Sequence, residues 1–235
     1  MKFTAVAFDL DGTLYANSSL NIRLVPFLLK DLRLLNALDK ARRYLRSTGA
    51  YEDNFYETQA RLMGDILNLP AEKAMEKAER LIYRGWEPLF KKINLFPYVR
   101  ETLDSFRKAG ITIGLLSDFP PEKKLENLKI SAYFDAVLCS EDVGRLKPDS
   151  ASFLELAGMM GTDPEGILYV GNSLPYDVVG ASGVGMKTAL VKPGWKKLPF
   201  IGDAGVSGRS KKAGHGPRPD FTFYDYRQLR DYVLS

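Results

Sequence analysis

Two carboxylates stand two residues apart in Phe8-Asp9-Leu10-Asp11-Gly12-Thr13, at the end of the chain's first apolar run, Val6-Ala7-Phe8. In an extended backbone this spacing puts both acids on one face, and Gly12 frees the chain to turn. A half-buried carboxylate pair is costly unless a cation or hydrogen-bond donors compensate it. The pair therefore asks for a metal ion, a substrate or a lysine. The plainer reading is a solvated turn after a strand, where Asp and Gly are common. Which holds depends on what the rest of the chain brings alongside.

The elements that must do this positioning follow from apolar periodicity. Residues 3–8 read as a short buried strand. A helical stretch follows, with Leu20, Leu24, Phe27, Leu28, Leu34, Leu35, Leu38 and Leu45 at three-to-four spacing. Pro26 marks a break or an early turn in it, and Gly49 closes it. A second helix carries Phe55, Gln59, Leu62 and Ile66. A third opens at Pro70, repeats Ala74, Ala78, Leu81 and Ile82, and ends at Gly85; Trp86 to Ile93 makes a short fourth. Nothing in 16–95 reads as a strand, so this stretch is expected to be a small helical bundle inserted after one strand.

From residue 97 strands and helices alternate. Helical patterns at 99–109, 122–129, 149–160 and 177–183 separate apolar strands at 111–116, 134–139, 167–170 and 187–191. Near-continuous apolar strands with intervening helices predict a parallel sheet covered on both faces, with right-handed crossovers. Residues 221–223 and 226–234 read as a last strand and helix, and the Gly-, Pro- and Lys-rich 193–219 as a long mobile loop. The fold class is thus α/β, a Rossmann-like parallel sheet with a helical insert: core at 1–15 and 96–235, insert at 16–95. Gly180 to Thr188 imitates a phosphate-cradling loop, but Met186 stands where the motif needs Lys, and a strand pattern follows instead of a helix. No GxGxxG follows a strand, which argues against a dinucleotide cofactor.

Composition narrows the field further. The chain has 235 residues, 45% hydrophobic and 26% charged, the profile of an ordinary globular protein. No apolar run is long enough to span a bilayer, and no secretory signal is read at the N-terminus. The single Cys139 sits in an apolar run, as a buried structural thiol would, and fits a reducing, cytoplasmic setting. The single His215 argues against Ser-His-Asp catalysis and a His-based zinc site. The net charge of +4 is uneven: residues 16–95 carry +4, residues 192–219 carry +6, and the remainder, which holds the acid pair, carries −6. The basic stretches lack the aromatic interleaving of a single-strand nucleic-acid binder. Arg42, Arg43 and Arg46 either reach a second acidic group on a substrate or line the surface. A monomer and a homodimer fit equally.

In an open parallel sheet, ligands bind beyond the carboxyl ends of the strands. Those ends deliver Asp9 and Asp11, Ser117 and Asp118, and Asn172; the turn before the 149–160 helix delivers Lys147, with Asp177 close behind Asn172. This is the inventory for handling a phosphoryl group. One carboxylate attacks, a second moves protons, a hydroxyl and a lysine hold the oxygens, and Mg²⁺ neutralises acids and phosphate together.

Four motifs in order, Asp9-Leu-Asp11-Gly12-Thr13, Leu116-Ser117-Asp118, Lys147-Pro148-Asp149 and Gly171-Asn172-Ser173 through Asp177, resemble those of the haloacid dehalogenase superfamily over nearly the whole chain. The insert resembles the cap of its phosphoglycolate-phosphatase-like branch. The resemblance implies a Mg²⁺-dependent phosphatase acting on a small phosphorylated metabolite. Asp9 would be the nucleophile that becomes an aspartyl phosphate. Asp11 would be the acid and base, its carbonyl also a magnesium ligand, and Lys147 the charge stabiliser. Ser117, Asp118 and Thr13 are the expected substrate-binding residues, and Asp9, Asp11, Asn172 and Asp177 the expected metal ligands. Asp11 disfavours the dehalogenase branch, which lacks that acid. Asn172 stands where family members usually carry Asp, so the cation should be held less tightly, with Asp177 compensating directly or through water. That departure keeps two alternatives open: a weak or inactive binding protein of the same fold, and a phosphomutase.

Overall fold

The structure is a computed structural model and describes residues 2–19, 31–48, 54–192 and 217–235. Its sheet has six parallel strands, β1 (Ala5–Phe8), β2 (Thr112–Ser117), β3 (Ala136–Cys139), β4 (Ile167–Gly171), β5 (Lys187–Val191) and β6 (Phe221–Phe223), in the order β3-β2-β1-β4-β5-β6. The first strand is therefore central, flanked by β2 and β4. Register aligns Phe8 with Leu115 on one side and Val170 on the other, so the three strands end within two residues of one another.

Alternation along β1 explains why both faces need cover. Val6 and Phe8 join a core with Leu103 and Phe106 of α4 (Val99–Lys108), Leu125 of α5 (Glu122–Leu128), and Leu229 and Val233 of α8 (Tyr226–Leu234). Ala5 and Ala7 face the other way, against Phe153 and Leu156 of α6 (Ser150–Met159) and Ala181 of α7 (Val179–Gly183). Burying a side chain such as Phe or Leu contributes roughly 1.5–3 kcal/mol, so the all-buried β1 pins the sheet centre from both sides. The P-loop look-alike is split between α7 and β5, where Lys187 and Thr188 bind Asp220.

A helical layer lies over the carboxyl edge. Helices α1 (Leu32–Thr48), α2 (Phe55–Leu67) and α3 (Ala71–Ala78) bury their own cluster, including Leu34, Leu38, Met63, Ala74 and Ala78. Asn54 caps α2 by accepting the Glu57 N–H, and Asn68 ends it in the left-handed region. Gly85 does not stop the third helix as its sequence suggests. The chain continues through a π turn (Glu79–Tyr83), an α turn (Arg84–Trp86) and a 3-10 helix (Glu87–Lys92). A mid-helix glycine costs only about 1 kcal/mol, and burial of Ile82 and Phe90 on either side offsets it. The expected helix at 177–183 begins earlier, as a π turn at Leu174–Val178 capped by Ser173.

The chain leaves and re-enters the sheet layer at one place. Tyr15 and Leu95 form an antiparallel bridge, and the Phe96 N–H donates to the Leu14 carbonyl at 2.9 Å. Leu20 to Lys30, with Pro26, Gly49 and residues 193–216 of the basic loop, including His215, lie outside the described residues. Among the described residues, no helix is long and apolar enough to cross a membrane. Cys139 is a buried free thiol, and burial pushes its pKa up.

Candidate active site

Asp9 is the first residue past β1 and is 6% exposed. Its N–H donates to the Val170 carbonyl at 2.9 Å, which ties the side chain to the end of β4. Lys147 Nζ lies 2.6 Å from Oδ1, and the Thr13 hydroxyl donates to Oδ2 at 2.6 Å. Burial and, further down, the charge of Asp177 push the Asp9 pKa up to about 7, against the opposing pull of Lys147 and Thr13. The carboxylate is thus held on both oxygens yet under-solvated, as a nucleophile awaiting an electrophile would be.

Lys147 is buried at the centre of this arrangement. Its ammonium meets Asp9, Asp177 Oδ1 at 2.8 Å and the Tyr169 hydroxyl at 3.4 Å. Burial alone would depress its pKa; the charges of Asp177 and Asp9 outweigh that and hold it well above the ordinary range. Asp177 Oδ2 accepts the N–H groups of Asn172 at 3.1 Å and Ser173 at 2.9 Å. Both Asp177 oxygens are therefore spent on the lysine and the turn after β4, and the residue is 1% exposed. Asp177, expected to serve the cation directly or through water, here positions Lys147 and Asn172. A Cβ on Gly171 would lie 2.4 Å from the Asp177 Cβ, so the glycine makes room for that approach.

Asp11 faces the mouth, its side chain 27% exposed. Lys124 Nζ, from α5, sits 2.6 Å from Oδ2. The Tyr15 hydroxyl donates to Oδ1, and burial together with Asp11 pushes the Tyr15 pKa well up, so it remains a donor. The Asp11 main-chain carbonyl accepts from Asn172 Nδ2 at 3.1 Å. Gly12, at φ +87°, has Asn172 Nδ2 only 1.9 Å from where a Cβ would stand, so a side chain there would be strained and would displace Asn172.

Ser117 ends β2, fully buried, its Oγ accepting the Phe119 N–H at 3.2 Å and its own proton left to donate. Two other expected substrate-binding groups are placed differently. Thr13 is fully buried behind Asp9, which its hydroxyl orients. Asp118 has both oxygens taken: Oδ1 by the Ser140 hydroxyl at 2.6 Å and the Lys147 N–H at 3.1 Å, Oδ2 by Arg46 at 2.7 Å. Burial raises its pKa, but Lys147, Arg46 and Arg42 outweigh that and hold it far below the usual carboxylate range. Its side chain joins the helical layer to the loop after β3.

The arginines of α1 make the same point. Arg42 is buried, ion-paired with Glu141 just past β3, hydrogen-bonded to the Asp118 carbonyl at 2.7 Å and stacked 3.9 Å from the Phe119 ring. Arg46 also donates to the Lys147 carbonyl at 3.1 Å and lies over the Tyr176 ring. One guanidinium thus touches the loops after β2, β3 and β4. Arg43 pairs with Asp39 on the surface. Lys124, Glu141 and Tyr169 are members of the site that sequence reasoning missed.

The fit to a hard cation can be judged from donor chemistry. The Asn172 amide contacts the Asp11 carbonyl, two residues along the chain from the Asp9 carboxylate, and each of the three groups is able to present oxygen. Among the described residues there is no cluster of three His, Cys, Asp or Glu side chains suited to a metal. A site here therefore leans on carbonyl and amide oxygens beside Asp9, one charge short of a set with Asp in place of Asn172.

A parallel sheet with an acid pair and a lysine at the carboxyl ends of its central strands is a crevice suited to an anionic ligand. Residues 3–185 match the family model described as haloacid dehalogenase-like hydrolase, and the chain belongs to that family. It is 31% identical over 186 residues to a phosphoglycolate phosphatase of Escherichia coli, covering 72% of this chain and 73% of the relative. It is 28% identical over 202 residues to a glyceraldehyde 3-phosphate phosphatase of Methanopyrus kandleri, covering 81% and 84%. A ribulose-1,5-bisphosphate 5-phosphatase of Halopiger xanaduensis is 34% identical over 112 residues, about half of each chain at 46%. Among solved structures, a HAD phosphatase from Thermococcus onnurineus superposes with a TM-score of 0.61 at 24% identity, covering 98% of this chain and 97% of that one. An L-2-haloacid dehalogenase from Xanthobacter autotrophicus gives 0.66 at 18%, covering 99% of each. These two likenesses establish the fold.

Proposed function

We propose that the protein is a Mg²⁺-dependent phosphomonoesterase working through an aspartyl phosphate, with residues 16–95 as its cap. The observation that carries this is Asp9, held by Lys147 and Thr13 at 2.6 Å each, with Asp11 two residues on and facing the mouth. Asp9 attacks phosphorus as the bond to the leaving oxygen breaks, and Asp11 gives that oxygen a proton. Asp11 then takes a proton from water, whose oxygen displaces the Asp9 carboxylate and releases phosphate. Ser117 and Lys147 stabilise the transferring oxygens. Asp9, the Asp11 carbonyl and Asn172 would hold Mg²⁺, which would offset the mutual repulsion of phosphate and carboxylate.

The relatives' substrates suggest a small phosphorylated metabolite. Dehalogenation is disfavoured by Asp11, for that reaction has no leaving oxygen to protonate. The test is release of phosphate from p-nitrophenyl phosphate and a metabolite panel with Mg²⁺. Wild type should turn over and Asp9→Asn should not; equal inertness of both rejects the proposal. Asn172 favours one second reading, a weakly catalytic binding protein. In that case Asn172→Asp would leave turnover at background.

A further inference from the structure

Lys124 has no part in the chemistry above, yet its ammonium stands beside the group that handles the leaving oxygen. It comes from α5, under the crevice, and its side chain is 12% exposed. Its ion-pair partner is Asp11, at 2.6 Å. The neighbouring cations are differently committed: Arg42 is buried against Glu141, and Arg46 is held by Asp118 and the Lys147 carbonyl. Phe90 and Phe119 flank the ammonium, their ring centroids 5.3 and 5.4 Å away. These rings offer no hydrogen bond to a sugar hydroxyl, and they shield the charge from water, which strengthens its pull on an anion.

Geometry then limits what lies next to Lys124 during turnover. The leaving oxygen must come within about 2.6–3.2 Å of an Asp11 carboxylate oxygen. Lys124 sits 2.6 Å from one of those oxygens. When the leaving oxygen contacts that same oxygen, it lies at most about 6 Å from the ammonium. A carboxylate one carbon from the ester oxygen spans that gap; a neutral alcohol puts nothing there to meet the charge.

We infer that Lys124 is a specificity-determining residue that receives a carboxylate on the leaving alcohol, so that the preferred substrates are phosphate esters of short hydroxy acids and not of neutral alcohols or polyols. The inference rests on the phosphatase reading of the same site. The arriving carboxylate exchanges with Asp11 for the ammonium, which frees Asp11 to turn toward the leaving oxygen. A neutral substrate leaves the Lys124–Asp11 pair closed. Discrimination comes from a charge that stays unmatched with the wrong substrate.

The experiment compares kcat/KM for 2-phosphoglycolate and ethyl phosphate in wild type, Lys124→Met, Lys124→Gln and Lys124→Arg. Wild type should favour the acid at least tenfold. Met and Gln should cut that ratio tenfold or more, with the loss on the acid appearing in KM, and Arg should retain most of the preference. The paired neutral variants keep the result readable if one of them folds poorly. An active wild type without preference, or an equal fall in kcat on both substrates, overturns the inference and reduces Lys124 to orienting Asp11. A wild type inert on both esters and on p-nitrophenyl phosphate instead rejects the phosphatase reading, and this inference with it.

Discussion

Replacing Arg42 with methionine leaves a carboxylate stranded between layers. The Glu141 side chain is fully buried, and its Oε2 has no hydrogen-bond partner among the described residues. Oε1 keeps only the Tyr83 hydroxyl, at 3.0 Å. Stripping one partner from a buried pair costs about 3–5 kcal/mol if the other stays charged. Protonation caps that cost. Burial already pushes Glu141 above its ordinary 4.5 despite the pull of Arg42. Holding it neutral at pH 7 costs about 1.36 kcal/mol per pH unit above 4.5, or about 3.4 kcal/mol, and at pH 5 about 0.7 kcal/mol. With the carboxyl's folded pKa raised above its unfolded value, the variant loses stability as pH rises from 4.5. Methionine retains contact with Phe119, so loss of the bond to the Asp118 carbonyl adds only about 1 kcal/mol at either pH. Urea unfolding should therefore show Arg42→Met destabilised by at most about 4 kcal/mol at pH 7 and about 2 kcal/mol at pH 5, since the wild type already bears part of the cost of burying Glu141. Adding Glu141→Gln should recover most of the pH 7 loss. A loss independent of pH, or a double variant no better than the single, would refute the reasoning.

Three further outcomes follow from the same geometry. Asp9→Asn should abolish turnover without destabilising the protein in EDTA. The charged carboxylate, pushed up to about 7, is a liability that grows between pH 4 and 7; calorimetry showing a loss above about 2 kcal/mol at pH 7 would contradict this. Asn172→Asp should tighten Mg²⁺ binding tenfold or more by titration calorimetry while lowering metal-free stability, because a carboxylate replaces the donor to the Asp11 carbonyl. Unchanged affinity would remove Asn172 from the cation's surroundings. Gly171→Ala should cost about 1–3 kcal/mol and most of the activity, since the new Cβ displaces Asp177 and with it Lys147. Gly114→Ala meets the flexible Met160 thioether and should be milder, a contrast thermal unfolding can measure.

What the chain discloses in its sequence is mostly what depends on local pattern. β5, β6 and α8 fall at 187–191, 221–223 and 226–234 as the apolar runs indicate, and the central strands end just before Asp9 and Asn172 and at Ser117. Side-chain neighbours are another matter. Lys123 and Lys124 are adjacent in a polar helix, yet Lys123 pairs with Glu126 in solvent while Lys124 meets Asp11. Arg42 and Arg43 are just as alike in sequence; one helical step of 100° sends the first into the interior and leaves the second half in water. Glu141 gains its meaning only from a residue 99 positions earlier. Asp118 and Thr13 lie in the right motifs, but which oxygens face the crevice is decided by partners the sequence places far away.

The central place of β1 has a consequence for how the protein is made. Ala5 pairs with Thr112 on one side and Ile167 on the other. Buried partners of α1 to α3, by contrast, lie close by in sequence, between Leu34 and Ile82. At about 5–20 residues per second, a ribosome needs on the order of 10–30 s to pass from the first strand to the second of its neighbours. The helices can pair long before that. The best-sheltered strand of the finished enzyme therefore waits longest for its partners in the nascent one, as an apolar ribbon with two open edges.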